Sequence, residues 1–436
     1  MKKPGRPRKS LARAMAAGAL ALYLTSASWG QLGGLGGGLP VAPILQGVPV
    51  TIDRTASGLD RTLQSTVEVV KRDVVGRPLL TGAIDRDPQG ARIVRGEILA
   101  VSPSNASLAI AKRLNFDIRR TDTLSNLGLT AVILGIPDGM SATDALAVLK
   151  KADPQGSYDY DHLYDPSGVA VNTAAPAAPR VSARAGSIRI GMIDGGISRR
   201  HPVFGDAAIV TKDVAGERSG PPTAHGTAVA SLLIGDDDDF HGYLPGAALY
   251  AADAFGGDPT GGSAVDLVRA LNWLAEEHVA VVNVSLAGPP NALLQAGVQA
   301  FLESGHVLVA AVGNNGPAAP LAYPASYPGV VAVTSVDGNR HLQVDANRGD
   351  VTFAAIGVDV RAAALHGYTN VTGTSFAAPV VAARFALLVP APDPQIVRRA
   401  CLALEHAALP LGKGFGDPAF GYGYLPAPLL ALEANR

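Results

Sequence analysis

The chain has 436 residues, 47% of them hydrophobic and 17% charged, with a formal net charge of −1. That length supports one large domain or two unequal ones, and the near-neutral balance gives no general attraction for nucleic acid or an anionic membrane. A single cysteine, Cys401, excludes an internal disulfide and any CxxC metal or redox site.

Residues 1–28 read as an export signal. Lys2, Lys3, Arg6, Arg8, Lys9 and Arg13 give a basic start, Ala14 to Leu24 an apolar core, and Ser26-Ala27-Ser28 small residues for cleavage. Pro4-Gly5-Arg6-Pro7-Arg8 also resembles an AT-hook, but the apolar run directly behind it favours export. With no apolar stretch of about 18 residues or more, no transmembrane anchor is expected.

Residues 29–90 comprise a Gly/Leu tether (Leu32 to Leu39) and a weakly helical stretch without assignable chemistry. Residues 91–165 are more orderly. A strand over Ile93 to Val101 is followed by a helix over Asn105 to Leu114, then extended segments near Phe116 to Arg120 and Ala131 to Ile136. A helix capped by Ser141 and an extended stretch from Ser157 to Tyr164 complete the run. Strand, helix, two strands, helix, strand is the split βαβ pattern of a small α+β domain. Residues 166–186, rich in Ala, Pro and Val, read as an exposed linker open to proteolytic nicking.

Residues 187–436 alternate apolar strands with helical stretches. Ile188 to Ile193, Ala248 to Ala254, Val279 to Val284, Val307 to Val312 and Val330 to Val336 suit a parallel sheet covered on both faces. This predicts a doubly wound α/β fold with its working groups at the carboxyl ends of the strands.

The chain is organised around Gly373-Thr374-Ser375-Phe376-Ala377-Ala378-Pro379, with Ser375 at the mouth of an apolar helix. Free N–H groups and the positive dipole end there favour a developing negative charge. Pro379 is expected in the first turn, where a missing N–H costs little. Asp194 ends a predicted strand in Gly191-Met192-Ile193-Asp194-Gly195, and His225 opens a helical stretch in Ala224-His225-Gly226-Thr227. A serine hydroxyl needs an imidazole to take its proton, and the imidazole needs a carboxylate to fix its tautomer.

These three motifs, in the order Asp, His, Ser, resemble the signatures of the subtilisin-like serine peptidases. Two further segments strengthen the likeness: Val282-Asn283-Val284-Ser285-Leu286-Ala287-Gly288 and Val309-Ala310-Ala311-Val312-Gly313-Asn314. The resemblance covers roughly residues 187 to 390. It implies Ser375 as nucleophile, His225 as general base and acid, Asp194 as its orienting partner and Asn314 as a donor to the oxyanion. It also implies that Ser285, Leu286, Ala287 and Gly288 bind protein or peptide substrates as an added strand. The first specificity side chain is then expected between that segment and Ala311 to Gly313. Ala287 and Val312, where smaller residues are usual, are expected to add bulk near this pocket, and Ala228 to alter packing behind His225.

No cofactor is required by this chemistry. Calcium binding is conceivable at Asp236 to Asp239, but four consecutive carboxylates lack the alternating spacing of a known calcium loop, so no metal site is assigned. The family further implies that residues 91–165 form a propeptide that assists folding and then blocks the site, with autocleavage within Asp165 to Gly186. The expectation is an exported zymogen, periplasmic or secreted. Alternatives are a narrow-specificity processing peptidase, a catalytically silent peptide-docking protein, and a serine esterase, for which the usual Gly-x-Ser-x-Gly elbow is missing around Ser375.

Overall fold

Hydrophobic alternation and cap placement dictate the first elements. In a computed structural model describing residues 84–171, 187–216, 220–257 and 261–428, β1 (Ile84–Arg86) and β2 (Arg92–Val101) lead into α1 (Asn105–Arg113). Then come β3 (Asp117–Leu124), β4 (Leu129–Gly135), α2 (Ala142–Ala152), β5 (Tyr158–Pro166) and β6 (Val169–Val171). Ser104 and Ser141 cap the two helices by accepting from the N–H groups of Ser107 and Asp144. The antiparallel sheet runs β5-β2-β4-β3, the expected split βαβ unit. The expected signal, tether and most of the linker lie outside the described residues.

The linker reading needs one correction. Strand structure runs to Pro166 and, as β6, over Val169–Val171, because β5 and β6 are gripped by strands from the rest of the chain. Backbone pairing holds a stretch whose side chains carry no strand pattern.

The larger part builds on β7 (Arg189–Asp194), β8 (Ile209–Asp213), α3 (Ala224–Ile234), β9 (Ala248–Asp253), β10 (Gly262–Ser263) and α4 (Ala264–Glu276). It continues with β11 (Val281–Val284), β12 (Leu286–Ala287), α5 (Ala292–Glu303), β13 (Val307–Ala311), β14 (Val331–Val336) and β15 (Phe353–Ile356). A hairpin of β16 (Val360–Ala363) and β17 (Tyr368–Thr372) precedes α6 (Thr374–Leu388) and α7 (Pro394–Ala407). Seven parallel strands, in the order β15-β14-β13-β11-β7-β9-β8, form the central sheet. One buried cluster packs α3 and α6 on one face of it. A second cluster packs α4 and α5 together with Leu99, Leu124, Leu127 and Ile133 of the α+β unit. Apolar burial therefore joins the small sheet to α4 and α5.

Polar contacts fix the orientation of that join. Asp159 accepts from the Ala292 N–H at 2.7 Å and Asp161 from the Val265 N–H at 3.3 Å, so both carboxyls sit at helix N-termini. Arg269 donates to Asp122 at 2.8 Å. Asn291 donates to the Tyr160 carbonyl at 2.8 Å while its own oxygen caps α5.

Candidate active site

The site lies at the carboxyl ends of β7, β11 and β13. Asp194 closes β7, fully buried, and accepts from the Gly195 N–H at 2.7 Å. His225 Nδ1 stands 2.9–3.0 Å from both Asp194 carboxylate oxygens, which fixes the proton on Nδ1 and leaves the Nε2 lone pair free. Nε2 is buried without a partner among the described residues. Close packing makes the pair possible, because a Cβ on Gly226 would lie 2.2 Å from the Gly195 carbonyl oxygen. The His225 ring rests against Phe376, centroids 5.3 Å apart. Ala228 is buried in the core behind it.

Ser375 occupies the second position of α6, which Gly373 caps without a side-chain bond. Pro379 falls in the second turn of α6 and not, as the sequence suggested, in the first. Its missing N–H leaves the Ser375 carbonyl unpaired within the helix, and Ser285 Oγ donates to that carbonyl at 2.9 Å. In return, Ser375 Oγ donates to the Ser285 carbonyl at 3.0 Å.

Asn314 follows β13. Its side-chain oxygen accepts from the Thr374 N–H at 3.1 Å and from Gln343 Nε2 at 3.0 Å. With both acceptor directions used, the amide NH2 must face the other way. Asn314 Nδ2 is 3.2 Å from the point where a Cβ on Gly373 would sit, and the Ser167 carbonyl oxygen is 2.6 Å from that same point. Gly373 thus leaves open a space shared by an amide donor and a peptide oxygen.

That oxygen belongs to the chain itself. The Ser167 carbonyl accepts from the Ser375 N–H at 3.1 Å, and the Ser167 N–H donates to the Ser285 carbonyl at 3.2 Å. Upstream, Pro166 pairs with Leu286 and Asp165 with Ala287 on one side. Tyr164 pairs with Gly262 and Leu163 with Ser263 on the other. Downstream, Val169 to Val171 pair with Thr372 to Asn370 of β17. The chain therefore crosses the site as two strands, β5 and β6, with the Ser167–Gly168 bond between them and over Ser375. Gly168 lies so close to Phe376 that a Cβ would come within 2.5 Å of the ring.

Ser285, Leu286, Ala287 and Ser375 thus pair directly with this stretch, Asn314 Nδ2 shares the space at Gly373 with its Ser167 oxygen, and the Asp194–His225 pair adjoins it through the Phe376 ring. Gly288 instead pairs with Tyr323 through two 3.0 Å backbone bonds. Ala287, Gly288, Asn314, Ala322 and Tyr323 help to line a groove of about 860 Å³ beside Ser167. Ala311 and Gly313 do not line it. Both are buried behind Asn314, where the Gly313 N–H donates to Thr374 Oγ1 at 3.2 Å. Val312 adds no bulk there either, since its side chain is buried in the core with Leu286 and Leu321.

The sequence reading missed Gln343, Thr374, Ser167 and Tyr164. Ser167 and Tyr164 could have been found by counting the β5 register forward to the strand-binding segment. Gln343, in a loop, carries no local signal. Two of the four carboxyls of Asp236 to Asp239 are engaged by protein groups: Asp236 meets His241 at 2.7 Å, and Asp237 accepts from the Asp239 and Phe240 N–H groups and from Tyr368. Among the described residues no cluster of three or more metal-ligating side chains is gathered.

A model of the subtilase family matches residues 185–423, more than half of the chain. The chain belongs to the subtilase family. Subtilases of this type are serine endopeptidases, and subtilisin E of Bacillus subtilis is 29% identical over 62% of this chain and 74% of its own length. The minor extracellular protease Epr of the same species is 31% identical over 57% of this chain, which spans only 39% of Epr. Fervidolysin of Fervidobacterium pennivorans, described as a keratinolytic enzyme related to subtilisin, superposes with a TM-score of 0.63. That likeness is 19% identical in sequence and covers 77% of this chain and 60% of fervidolysin. It is a likeness of fold, and its reach beyond residues 185–423 takes in part of the region before the subtilase match.

Proposed function

We propose that this subtilase is an exported serine endopeptidase made as a zymogen, and that its first substrate is its own Ser167–Gly168 bond. Residues 84–167 act as the described part of the propeptide. What carries this reading is the register of Ser167: its N–H and C=O engage Ser285 and Ser375 as a substrate residue before a scissile bond would.

Cleavage begins when the Ser375 hydroxyl turns from the Ser285 carbonyl to His225. Ser375 Oγ then bonds to the Ser167 carbonyl carbon as its proton passes to His225 Nε2. The negative oxygen is held by the Ser375 N–H and Asn314 Nδ2, while Asp194 stabilises the imidazolium. Collapse breaks the C–N bond to Gly168, whose nitrogen takes the proton from His225. Water, deprotonated by His225, then releases Ser167 from the ester.

Export is supported by the basic-apolar-small start of the sequence and by the extracellular naming of Epr. Among the described residues no helix is long and apolar enough to cross a membrane. Calcium is not needed for any step above.

Intact mass of purified protein, with and without a fluorophosphonate probe, tests the reading. The wild type should give a fragment beginning at Gly168 that gains one adduct on Ser375, while Ser375→Ala stays joined and unlabelled. Cleavage persisting in Ser375→Ala would remove self-processing. For export, the Ser375→Ala chain should be found outside the cytoplasm, beginning near residue 29; a cytoplasmic chain retaining Met1 would sink it.

A further inference from the structure

We propose that Asn283 is a positioning residue for the nucleophile: its amide sets the Ser285 hydroxyl, which in turn holds the Ser375 carbonyl and so fixes the first turn of α6. This rests on the reading of Ser375 as the group that attacks the peptide bond.

Asn283 is a polar residue set in an apolar part of the central sheet. It lies in β11, in register with Met192 of β7 and Val309 of β13, and is 0% exposed. Val282 and Val284 pack with α4 and α5, whereas Val281, Met192 and Val309 belong to the cluster that packs α3 and α6. By alternation along the strand, the Asn283 side chain faces α6. A valine would suit this place without burying an amide. Asn283 Oδ1 is indeed buried without a partner among the described residues, a cost that only the other end of the amide can offset.

That other end, Nδ2, donates to Ser285 Oγ at 2.9 Å. A serine hydroxyl carries one proton. Accepting from Asn283, it keeps that proton for the Ser375 carbonyl, to which it donates at 2.9 Å. Reversing the amide would point an oxygen at Ser285 and draw the proton away. The Ser375 carbonyl would then be bare, since Pro379 has no N–H to offer. The strand over the site is paired through the Ser285 carbonyl and the backbones of Leu286 and Ala287, not through the Ser285 hydroxyl. Loss of the Asn283 tie therefore acts on turnover more than on binding, and a misplacement of about 1 Å at a reacting group costs on the order of 10²-fold in rate.

The test uses processed enzyme and a quenched fluorescent peptide of the chain's own sequence Tyr-Asp-Pro-Ser-Gly-Val, beside a denatured protein substrate, with rates taken per Ser375 titrated by a fluorophosphonate. Asn283→Val, which favours a strand, should lower kcat about tenfold and leave KM within about twofold. Asn283→Thr, which exchanges one methyl of that side chain for a donor hydroxyl, should lose less than about threefold. In a Ser285→Ala background, Asn283→Val should have almost no further effect on kcat. Wild-type kcat in Asn283→Val, equal losses in Asn283→Val and Asn283→Thr, or losses that multiply with Ser285→Ala overturn the proposal while leaving the peptidase reading intact. If Asn283→Val does not mature, Asn283→Thr decides alone: kcat within about threefold of wild type upholds the proposal, and a greater loss overturns it. If wild-type enzyme cuts neither the peptide nor the denatured protein, the peptidase reading itself fails and takes this one with it.

Discussion

Ser285 and Ser375 hold each other by reciprocal hydrogen bonds, each hydroxyl donating to the other's carbonyl at 2.9 and 3.0 Å. The exchange exists because Pro379 cannot donate back to the Ser375 carbonyl. The segment that binds the strand and the helix that presents the serine are thereby locked as one piece. Replacing Ser285 with alanine leaves a buried carbonyl unpaired, which costs about 1–3 kcal/mol. In the Ser375→Ala background, where self-cleavage is absent and the carbonyl remains, Ser285→Ala should lower the unfolding midpoint. An unchanged midpoint would mean that the Ser375 carbonyl finds another donor.

Gln343 should act on turnover through Asn314. By donating to Asn314 Oδ1 it keeps Nδ2 facing the oxygen of the bound peptide. Asn314→Ala should reduce kcat by about 10²–10³. Gln343→Leu should reduce kcat about tenfold, with KM little changed, because only one of the two anchors on Asn314 is lost. In an Asn314→Ala background the Gln343→Leu change should have almost no further effect on kcat. Independent, multiplying losses would show that Gln343 acts by some other route.

Gly168 should be required for processing. A side chain there meets the Phe376 ring at 2.5 Å, and Phe376 packs against His225. Gly168→Val should therefore accumulate uncleaved precursor, or shift the new N-terminus away from residue 168, as read by intact mass. Prompt cleavage at residue 168 in this variant would remove Ser167–Gly168 as the registered bond.

Much of this architecture is legible in the sequence, and what is not has physical causes. The central strands β7, β9, β11, β13 and β14 are buried on both faces, so their apolar runs announce them. β8 (Ile209-Val210-Thr211-Lys212-Asp213) escapes because it is an edge strand exposed along most of its length. Asp194, His225, Asn314 and Ser375 each sit in a short motif whose chemistry is local. The role of Ser167 depends instead on pairing with Ser285, more than a hundred residues away. Gln343 is informative only once its loop folds over Asn314, and Val312 misleads because its neighbours define a site while its own side chain turns into the core.

The join between the α+β unit and the larger part should weaken as pH rises. Asp161 of β5 accepts from the Val265 N–H, and Asp266 lies one residue further along the same helical turn, bonded to Ser263 at 2.8 Å. Burial, and then the nearby Asp266 and Glu97 carboxylates, push the Asp161 carboxyl well above the ordinary carboxylate range. Burial pushes Asp266 up to about 6 against the lowering pull of Ser263 and Arg269. A carboxyl raised in the folded state contributes stability that is full below its unfolded value, near 4, and is lost as pH rises through the folded one. The Ser375→Ala precursor should therefore lose resistance to urea as pH rises from about 4 through about 6 and above, through this pair. His306 runs the other way: burial lowers it to about 4, so its contribution is present above about 6.5 and lost as pH falls. Comparison with Asp161→Asn removes that background, because His306 is common to both. The amide keeps an acceptor for the Val265 N–H but cannot ionise, so its midpoint should vary less with pH over the same window. Parallel pH profiles for the two precursors would show that the Asp161 carboxyl does not govern the join.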